Sequence, residues 1–318
     1  MKHIFPSFFF LLSFFLTACD PQDDPKVVAT IGMLGDIAAT IADDCAEVQT
    51  MMGPGVDPHL YKASAGDVQL LQNASLIFYS GYNLEGQMGE ILERLAETRP
   101  VTAVAEAAID ESDTLSYDEN AVDPHLWMDV ALWTNSVDVI TENLTELNPE
   151  CAADMRERAD TLKNELAALN EWILESVASI PTEQRVLVTA HDAFEYYGRA
   201  YDIEVEGIQG ISTASEASLA DIRETVDLVV EREVLALFVE SSINPRTIEA
   251  VQAAVADRGS QVGIGEPLYS DAMGEAGTAD GTYIGMLRRN TLNIVDGLGG
   301  EVAAFPEALS GWVEAWEE

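Results

Sequence analysis

Residues 151–179 read CAADMRERADTLKNELAALNEWILESVAS, and neither glycine nor proline interrupts the chain before Pro181. Apolar residues recur here at steps of three and four, as they do on one face of a helix. They are Met155, Ala159, Leu162, Leu166, Leu169, Ile173 and Val177. Asn148-Pro149 precedes the stretch, and proline is common near helix starts. The pattern predicts one helix of roughly 42 Å, a rigid strut rather than a hinge. Two helices with a break are the alternative.

On both sides of this stretch, short β-branched runs alternate with amphipathic patterns of helical period. Strands are predicted at Val27–Ile31, Val48–Met52, Leu76–Tyr79 and Val101–Val104, and again at Val186–Thr189, Glu204–Ile208, Val234–Val239 and Gln261–Ile264. Helices are predicted at Leu34–Ala42, Ala65–Gln72, Glu85–Thr98, Leu219–Glu231, Arg246–Ala256 and Thr282–Leu298. This alternation predicts an α/β protein of two similar parallel-sheet lobes, joined by one long rigid helix.

The N-terminus has the features of an export signal. Ile4 to Leu16 is almost wholly apolar, but it is shorter than the about 20 residues that span a bilayer as a helix. It ends Leu16-Thr17-Ala18-Cys19, which resembles the lipobox at which bacterial lipoproteins are cleaved and lipid-modified. An ordinary signal peptide with a chance cysteine is the alternative. The predicted division is a lipoprotein signal peptide at 1–18, an N-terminal lobe at 19–147, the linking helix at 148–182 and a C-terminal lobe at 183–318.

Charge and cysteine content limit the kinds of ligand. Asp and Glu total 56 against 16 Lys and Arg, for a net charge of −40. Such a surface repels phosphate backbones, which excludes nucleic acid as a partner, and it favours cations. Beyond Cys19 only Cys45 and Cys151 remain. We expect both to be buried free thiols rather than a disulfide, although export would permit one.

Three histidines remain after His3, and each is predicted to lie where parallel α/β sheets display functional groups. His59 and His125 occupy identical pentapeptides, Val-Asp-Pro-His-Leu, and His191 comes directly after the strand Val186–Thr189. Loops at the carboxyl ends of parallel strands line the ligand crevice of such sheets. Proline stiffens the chain on either side of it, so each pentapeptide presents its imidazole from a constrained loop. We therefore predict that the three imidazoles converge on a metal ion.

Carboxylates complete the candidate site. Asp57 and Asp123 stand two residues before their histidines, where each can accept a ring N–H or cap a backbone turn. A fourth, oxygen ligand is expected from the second half of the chain. Glu240 after Val234–Val239 and Asp271 after Gln261–Ile264 both qualify, and ligand chemistry alone leaves the choice open.

Several segments, in this order, resemble those of the manganese and zinc solute-binding lipoproteins of ABC importers. They are Gly53-Pro54-Gly55-Val56-Asp57-Pro58-His59-Leu60-Tyr61, Asp123-Pro124-His125-Leu126-Trp127-Met128-Asp129, Thr189-Ala190-His191-Asp192-Ala193-Phe194, Gly210-Ile211-Ser212-Thr213 and Leu268-Tyr269-Ser270-Asp271-Ala272-Met273-Gly274.

The resemblance implies a metal site of His59, His125, His191 and Asp271, with two ligands from each lobe and Glu240 in a supporting role. It implies one transported Mn²⁺ or Zn²⁺, and an exported, lipid-anchored monomer on the periplasmic side or outer face of the cytoplasmic membrane. The implied partners are an ABC permease and its ATPase. Residues 109–122 are acidic but lack the histidines of zinc-dedicated relatives, which favours manganese with zinc close behind; we expect a solvated, mobile loop there.

The rival class is a zinc hydrolase that uses the same three histidines, with Glu240 or Asp192 as general base. The chain contains no His-Glu-x-x-His helix and no nucleophile elbow, and a fourth protein ligand would close the metal site. A surface adhesion role has no separate support in the sequence. No Walker motif occurs, so a role in an ABC importer requires that another subunit hydrolyse ATP.

Overall fold

The computed structural model describes residues 25–118 and 121–316. The predicted signal peptide and the lipidation site Cys19 lie outside the described residues. Among the helices that are described, none is long and apolar enough to cross a membrane.

The first lobe is built on a four-stranded parallel sheet, whose strands are β1 (Lys26–Ala29), β2 (Glu47–Thr50), β3 (Leu76–Tyr79) and β4 (Val101–Ala103). They lie side by side in the order β2-β1-β3-β4. Its helices are α1 (Gly32–Ala42), α2 (Ala65–Asn73), α3 (Gly89–Ala96), α4 (Val104–Ala108), α5 (Val130–Trp133) and α6 (Asn135–Leu147). A short antiparallel pair, β5 (Ser116–Asp118) and β6 (Ala121–Val122), precedes α5.

Between the lobes runs α7 (Ala152–Ala178). The remaining elements are β7 (Val186–His191), α8 (Glu195–Tyr201), β8 (Glu204–Gln209), α9 (Leu219–Glu231), β9 (Ala236–Phe238), α10 (Arg246–Asp257), β10 (Gly263–Ile264), α11 (Tyr283–Gly297) and α12 (Ser310–Trp316). The second lobe repeats the arrangement of the first with a parallel sheet in the order β10-β9-β7-β8. The predicted fold class, two parallel-sheet α/β lobes and one long helix, is confirmed.

The long helix α7 is more than a connector, because both lobes pack against it. Its apolar stripe is buried, and Leu166 and Leu169 are fully enclosed. It contacts α1 and α6 of the first lobe and α11 of the second. One continuous core therefore includes Ile37 of α1, Leu166 and Leu287 of α11. A smaller core lies on the opposite face of the second sheet, under α9 and α10.

The predicted helix Glu85–Thr98 is wrong at its start, since α3 begins only at Gly89. Glu85 points inward, where its carboxylate accepts hydrogen bonds from the Thr30 hydroxyl at 2.6 Å and from the Ser80 amide at 2.8 Å. Glu85 therefore belongs to a buried hydrogen-bond network with Thr30 and Ser80, and the helix does not extend back to it. The apolar periodicity of 85–98 carried no sign of this long-range contact.

The acidic segment that was expected to be a solvated loop is exposed at residues 110–113, 116 and 117, but it also contains regular structure. Strands β5 and β6 pair within it. The Leu115 amide just before β5 donates to the Tyr196 hydroxyl of α8 at 2.9 Å. A contact with the other lobe thus holds this segment.

The prediction of two free thiols is also wrong. Cys45 and Cys151 form a disulfide across 106 residues of chain, with their Cα atoms 6.1 Å apart. The bond joins the end of the α1 region to the entrance of α7. Sequence spacing could not reveal this pairing, because packing of α1 on α7 brings the two cysteines together.

Candidate metal centre

Four side chains predicted from the sequence meet where the two lobes face each other. His59 lies in the loop after β2, and His125 follows β6. His191 is the last residue of β7, and Asp271 lies in the loop after β10. All four are buried, and one ligand atom from each lies within 4.8 Å of the others. Each lobe contributes two of these residues.

The three imidazoles surround the carboxylate. The His125 Nε2 lies 3.2 Å from Asp271 Oδ1, and the His191 Nε2 lies 3.3 Å from Oδ2. The His59 Nε2 is farther from Oδ2, at 3.9 Å, but only 3.3 Å from the His125 Nε2. Three Nε2 atoms and a carboxylate that point toward one another form a cluster of the size and ligand type that zinc or manganese accepts.

Several of these polar atoms have no hydrogen-bond partner among the residues described. They are the His191 Nε2 and both Asp271 oxygens, each completely removed from solvent. Buried polar atoms are nearly always satisfied in native proteins, so three such atoms turned toward one point fit the coordination of a cation. The donor set therefore fits a transition-metal ion.

Carboxylates behind two of the rings hold them in place. The Asp123 Oδ1 lies 2.7 Å from the His125 Nδ1, and the Glu240 Oε2 lies 2.5 Å from the His191 Nδ1. The other Glu240 oxygen accepts from the His191 amide at 2.8 Å. With Nδ1 donating to a carboxylate, each Nε2 carries the lone pair that a metal needs. Glu240 thus contacts His191 and lies outside the four-residue cluster.

Asp57 acts differently, although its pentapeptide is identical to that of Asp123. Its Oδ1 accepts from the His59 backbone amide at 2.8 Å, as the Asp123 Oδ1 does from the His125 amide at 3.0 Å. Its Oδ2 accepts from the hydroxyl of Thr213 in the opposite lobe at 2.6 Å. Asp57 therefore constrains the His59 loop and links the two lobes.

Burial lowers and the neighbouring carboxylates raise the pKa values of the three imidazoles, and the balance between the two differs from ring to ring. Burial works against charging His125, but Asp123 and Asp271 outweigh it and raise its pKa to about 9. Burial likewise opposes charge on His191, and Glu240 and Asp271 hold its pKa well above the usual range. For His59, burial dominates and lowers the pKa to about 4, although Asp271 partly offsets it.

Asp271 remains ionised in this environment. Burial favours its neutral form, but His191 and His125 outweigh that effect and lower its pKa well below the ordinary value. These shifts favour protons on His125 and His191 beside an ionised Asp271 when no metal is bound. A divalent cation can replace those two protons and balance the negative charge of Asp271 in their place.

Fold and site together define a two-lobed α/β protein with a three-histidine, one-carboxylate metal site at the junction of its lobes. The chain belongs to the ZnuA family, described as zinc-uptake complex component A, periplasmic, whose model matches residues 27–297.

Individual relatives agree with this assignment. The chain is 47% identical over 274 residues to the zinc-binding protein TroA of Treponema pallidum (strain Nichols), with 86% of this chain and 89% of that protein covered. It is 42% identical over 293 residues to the manganese-binding lipoprotein MntA of Bacillus subtilis (strain 168), with 90% and 96% covered. The solved structure of the Treponema pallidum protein superimposes with a TM-score of 0.85 and covers 86% of this chain and 99% of that one.

Three residues that contact the surroundings of the metal site have roles that the sequence did not predict. Thr213 and Trp127 lie in quoted segments, but nothing in the sequence showed that Thr213 contacts Asp57 or that the Trp127 indole crosses to the other lobe. Tyr196, whose hydroxyl donates to the Asp123 carbonyl at 3.0 Å, carried no signal in the sequence. These contacts join residues far apart in the chain, which local pattern does not report.

Proposed function

We propose that this protein captures one Mn²⁺ or Zn²⁺ between its lobes and delivers it to the permease of an ABC importer. The observation that carries the proposal is the convergence of His59, His125, His191 and Asp271, with their ligand atoms within 4.8 Å. In this proposal the four side chains are the metal ligands, and Glu240, Asp123 and Asp57 orient them. The family match supports the transport role.

The proposal includes an anchor and partners. Cys19 carries the lipid after removal of residues 1–18, and lobes at 19–147 and 183–318 flank the linking helix at 148–182. The protein works outside the cytoplasm as a monomer held at the membrane, and it docks on a permease that a separate ATPase powers. Relatives named as a manganese-binding lipoprotein and as a metal ABC transporter substrate-binding lipoprotein support this placement.

The proposed activity involves no bond chemistry. Four protein ligands fill a tetrahedral shell, whereas catalytic zinc sites keep a position open for water. Zinc and manganese differ in intrinsic affinity, and zinc binds more tightly to most sites of this kind. The metal carried in the cell therefore depends on supply as well as on geometry. We propose manganese first, with zinc as the close competitor.

Metal content of the mature protein without its lipid anchor tests the proposal. The stripped protein is equilibrated with equimolar Mn²⁺ and Zn²⁺ at buffered free concentrations, and bound metal is measured by mass spectrometry. We expect one equivalent in the wild type and less than about a tenth of that in His59→Ala and Asp271→Ala, because each removes a ligand from a closed shell.

Asp138→Asn is the matched control, since Asp138 is an exposed carboxylate that pairs with Lys163 on the long helix, away from the metal site. It should retain the full equivalent. Absence of stoichiometric metal from the wild type under both metals would overturn the proposed function.

A further inference from the structure

We propose that Trp127 and Tyr283 form an interlobe clamp that sets the spacing of His125 and Asp271 and thereby favours Mn²⁺ relative to Zn²⁺. The inference rests on the proposed function, because it concerns the selectivity of the same site. Both are positioning residues, because neither belongs to the four-residue metal cluster.

The first part of the clamp joins two ligands of opposite lobes. The Trp127 Nε1 donates to the Ser270 carbonyl at 3.0 Å, across 143 residues of chain. Trp127 stands two residues after His125, and Ser270 directly precedes Asp271. This one hydrogen bond therefore fixes the distance between the backbone segments that carry His125 and Asp271. Trp127 is fully buried, and its ring packs edge-on against the His125 ring, with the two ring centroids 5.3 Å apart.

Helix α11 holds the segment before Asp271 from the other side. The Asn290 side chain accepts from the Tyr269 amide at 2.8 Å and donates to the Tyr269 carbonyl at 2.7 Å. Asn290 is completely buried, so water does not compete for these bonds. The Tyr269–Asp271 segment is thus held between α11 and Trp127.

Tyr283 at the start of α11 closes the ring of contacts. Its hydroxyl donates to the Trp127 carbonyl at 2.7 Å, and its amide donates to the Asp36 carboxylate of α1 at 2.8 Å. The path from Trp127 through Ser270, Tyr269 and α11 returns to Trp127. A closed ring of hydrogen bonds resists a change in any one distance more than a single bond does.

This spacing bears on selectivity because Asp271 turns both oxygens toward the ligand cluster. Oδ1 faces His125 at 3.2 Å, and Oδ2 faces His191 at 3.3 Å. A carboxylate held in this way offers two oxygens to the metal, which raises the coordination number and suits manganese. Zinc is satisfied by four ligands, so it tolerates a carboxylate that has turned to present one oxygen. Loosening the clamp should therefore weaken the binding of Mn²⁺ more than the binding of Zn²⁺.

Removal of the indole N–H tests the clamp. Trp127→Phe keeps an aromatic ring but removes the donor to Ser270, and the dissociation constants for Mn²⁺ and Zn²⁺ are measured by competition with calibrated chelators. We expect the zinc-to-manganese affinity ratio to rise on the order of tenfold, about the worth of one buried hydrogen bond. Tyr283→Phe removes only a hydroxyl and should shift the ratio in the same direction, which keeps the test decisive if Trp127→Phe does not fold.

Trp133→Phe is the matched control. Trp133 is equally buried and packs on Trp127 with ring centroids 6.2 Å apart. Its indole nitrogen has no hydrogen-bond partner in the described part of the chain. This variant loses the same bulk without losing a bond, so its affinity ratio should equal that of the wild type.

Two results would overturn the clamp. One is an unchanged ratio in Trp127→Phe and Tyr283→Phe while the wild type binds one metal, which leaves the proposed function intact. The other is an equal shift in Trp133→Phe, which would trace selectivity to packing alone. A wild type that binds neither metal would instead overturn the proposed function, and the clamp with it.

Discussion

The two copies of Val-Asp-Pro-His-Leu show how one local motif takes on two roles. In both copies the aspartate accepts the amide hydrogen of its histidine, so the local turn is the same. Asp123 also contacts the ring of His125, whereas Asp57 turns its second oxygen to Thr213. The pentapeptide thus determines the turn, and the neighbouring elements determine the remaining contacts of each carboxylate.

Metal affinity should fall steeply as the pH falls. The pKa values of His125, about 9, and of His191, well above the ordinary value, mean that both rings are protonated near neutrality in the metal-free protein. A metal must displace both protons, while His59, with a pKa of about 4, is already neutral. Because protonation favours the metal-free state, the apparent association constant should rise about a hundredfold per pH unit between about pH 6 and pH 8.

The measurement is zinc affinity by chelator competition across that range, with proton release followed by calorimetry in buffers of different ionisation enthalpy. About two protons per metal are expected near neutrality. Affinity that does not depend on pH would contradict the proton competition.

Removal of the charge behind His191 should weaken binding without removing a ligand. Glu240→Gln keeps an acceptor for the His191 amide but loses the anion at Nδ1, and such a change behind a metal-bound histidine costs about 10–100-fold in affinity. It should also lower the His191 pKa, because Glu240 is the largest of the influences that raise it. The number of protons released then falls from about two toward one.

Glu249→Gln, an exposed carboxamide substitution on α10, serves as control and should bind metal like the wild type. If Glu240→Gln matched it in both affinity and proton release, the assigned role of Glu240 would be wrong.

At the scale of elements, α7 connects the two lobes and packs against both of them. The helix buries its apolar stripe under both lobes, and the Cys45–Cys151 disulfide ties its entrance to the first lobe. Apolar periodicity predicts the helix and its length, because spacing at three and four is a local property. The disulfide and the contact partners of α7 depend on how the chain folds back, so they had to be read from the structure.

Loss of the disulfide should destabilise the fold and leave the metal site unchanged. Cys45→Ser/Cys151→Ser frees a loop of 106 residues in the unfolded chain, and a bond of this kind contributes about 2–4 kcal/mol. Denaturant titration of the metal-free protein measures that loss. Zinc affinity should stay within about twofold, because neither cysteine contacts the metal ligands. Wild-type protein with a reducing agent should reproduce the effect, and equal stability of both forms would contradict it.

At the scale of the whole molecule, the lobes share a core rather than meeting at an open hinge. Ile37, Leu166 and Leu287 come from the first lobe, α7 and the second lobe, yet they belong to one packed cluster. Close-packed interiors resist large relative motion, since any opening must unpack side chains. Hydrogen bonds across the site, from Trp127 to Ser270 and from Thr213 to Asp57, add to this resistance.

Metal release should therefore involve a small tilt or loop movement rather than wide closure and opening. Spin labels at Glu93 of α3 and Glu231 of α9, both exposed, report the distance between the lobes in variants that keep the native disulfide. We expect the distance to differ by only a few ångströms between metal-free and metal-loaded protein. Crystals of the two forms related by a domain rotation of tens of degrees would rule this out.

The sequence by itself determined the fold class, the long helix and the three histidines that the structure brings together. Strand and helix periodicity are local, and three histidines in a chain with few of them leave few choices. The fourth position was harder, because Glu240 and Asp271 both follow strands and only resemblance to a family separated them. Tertiary structure alone decided the disulfide, the start of α3, the distinct roles of Asp57 and Asp123 and the Trp127–Ser270 bond. Each of these joins segments distant in the chain, and such contacts depend on the packing of the lobes around α7, which no local pattern encodes.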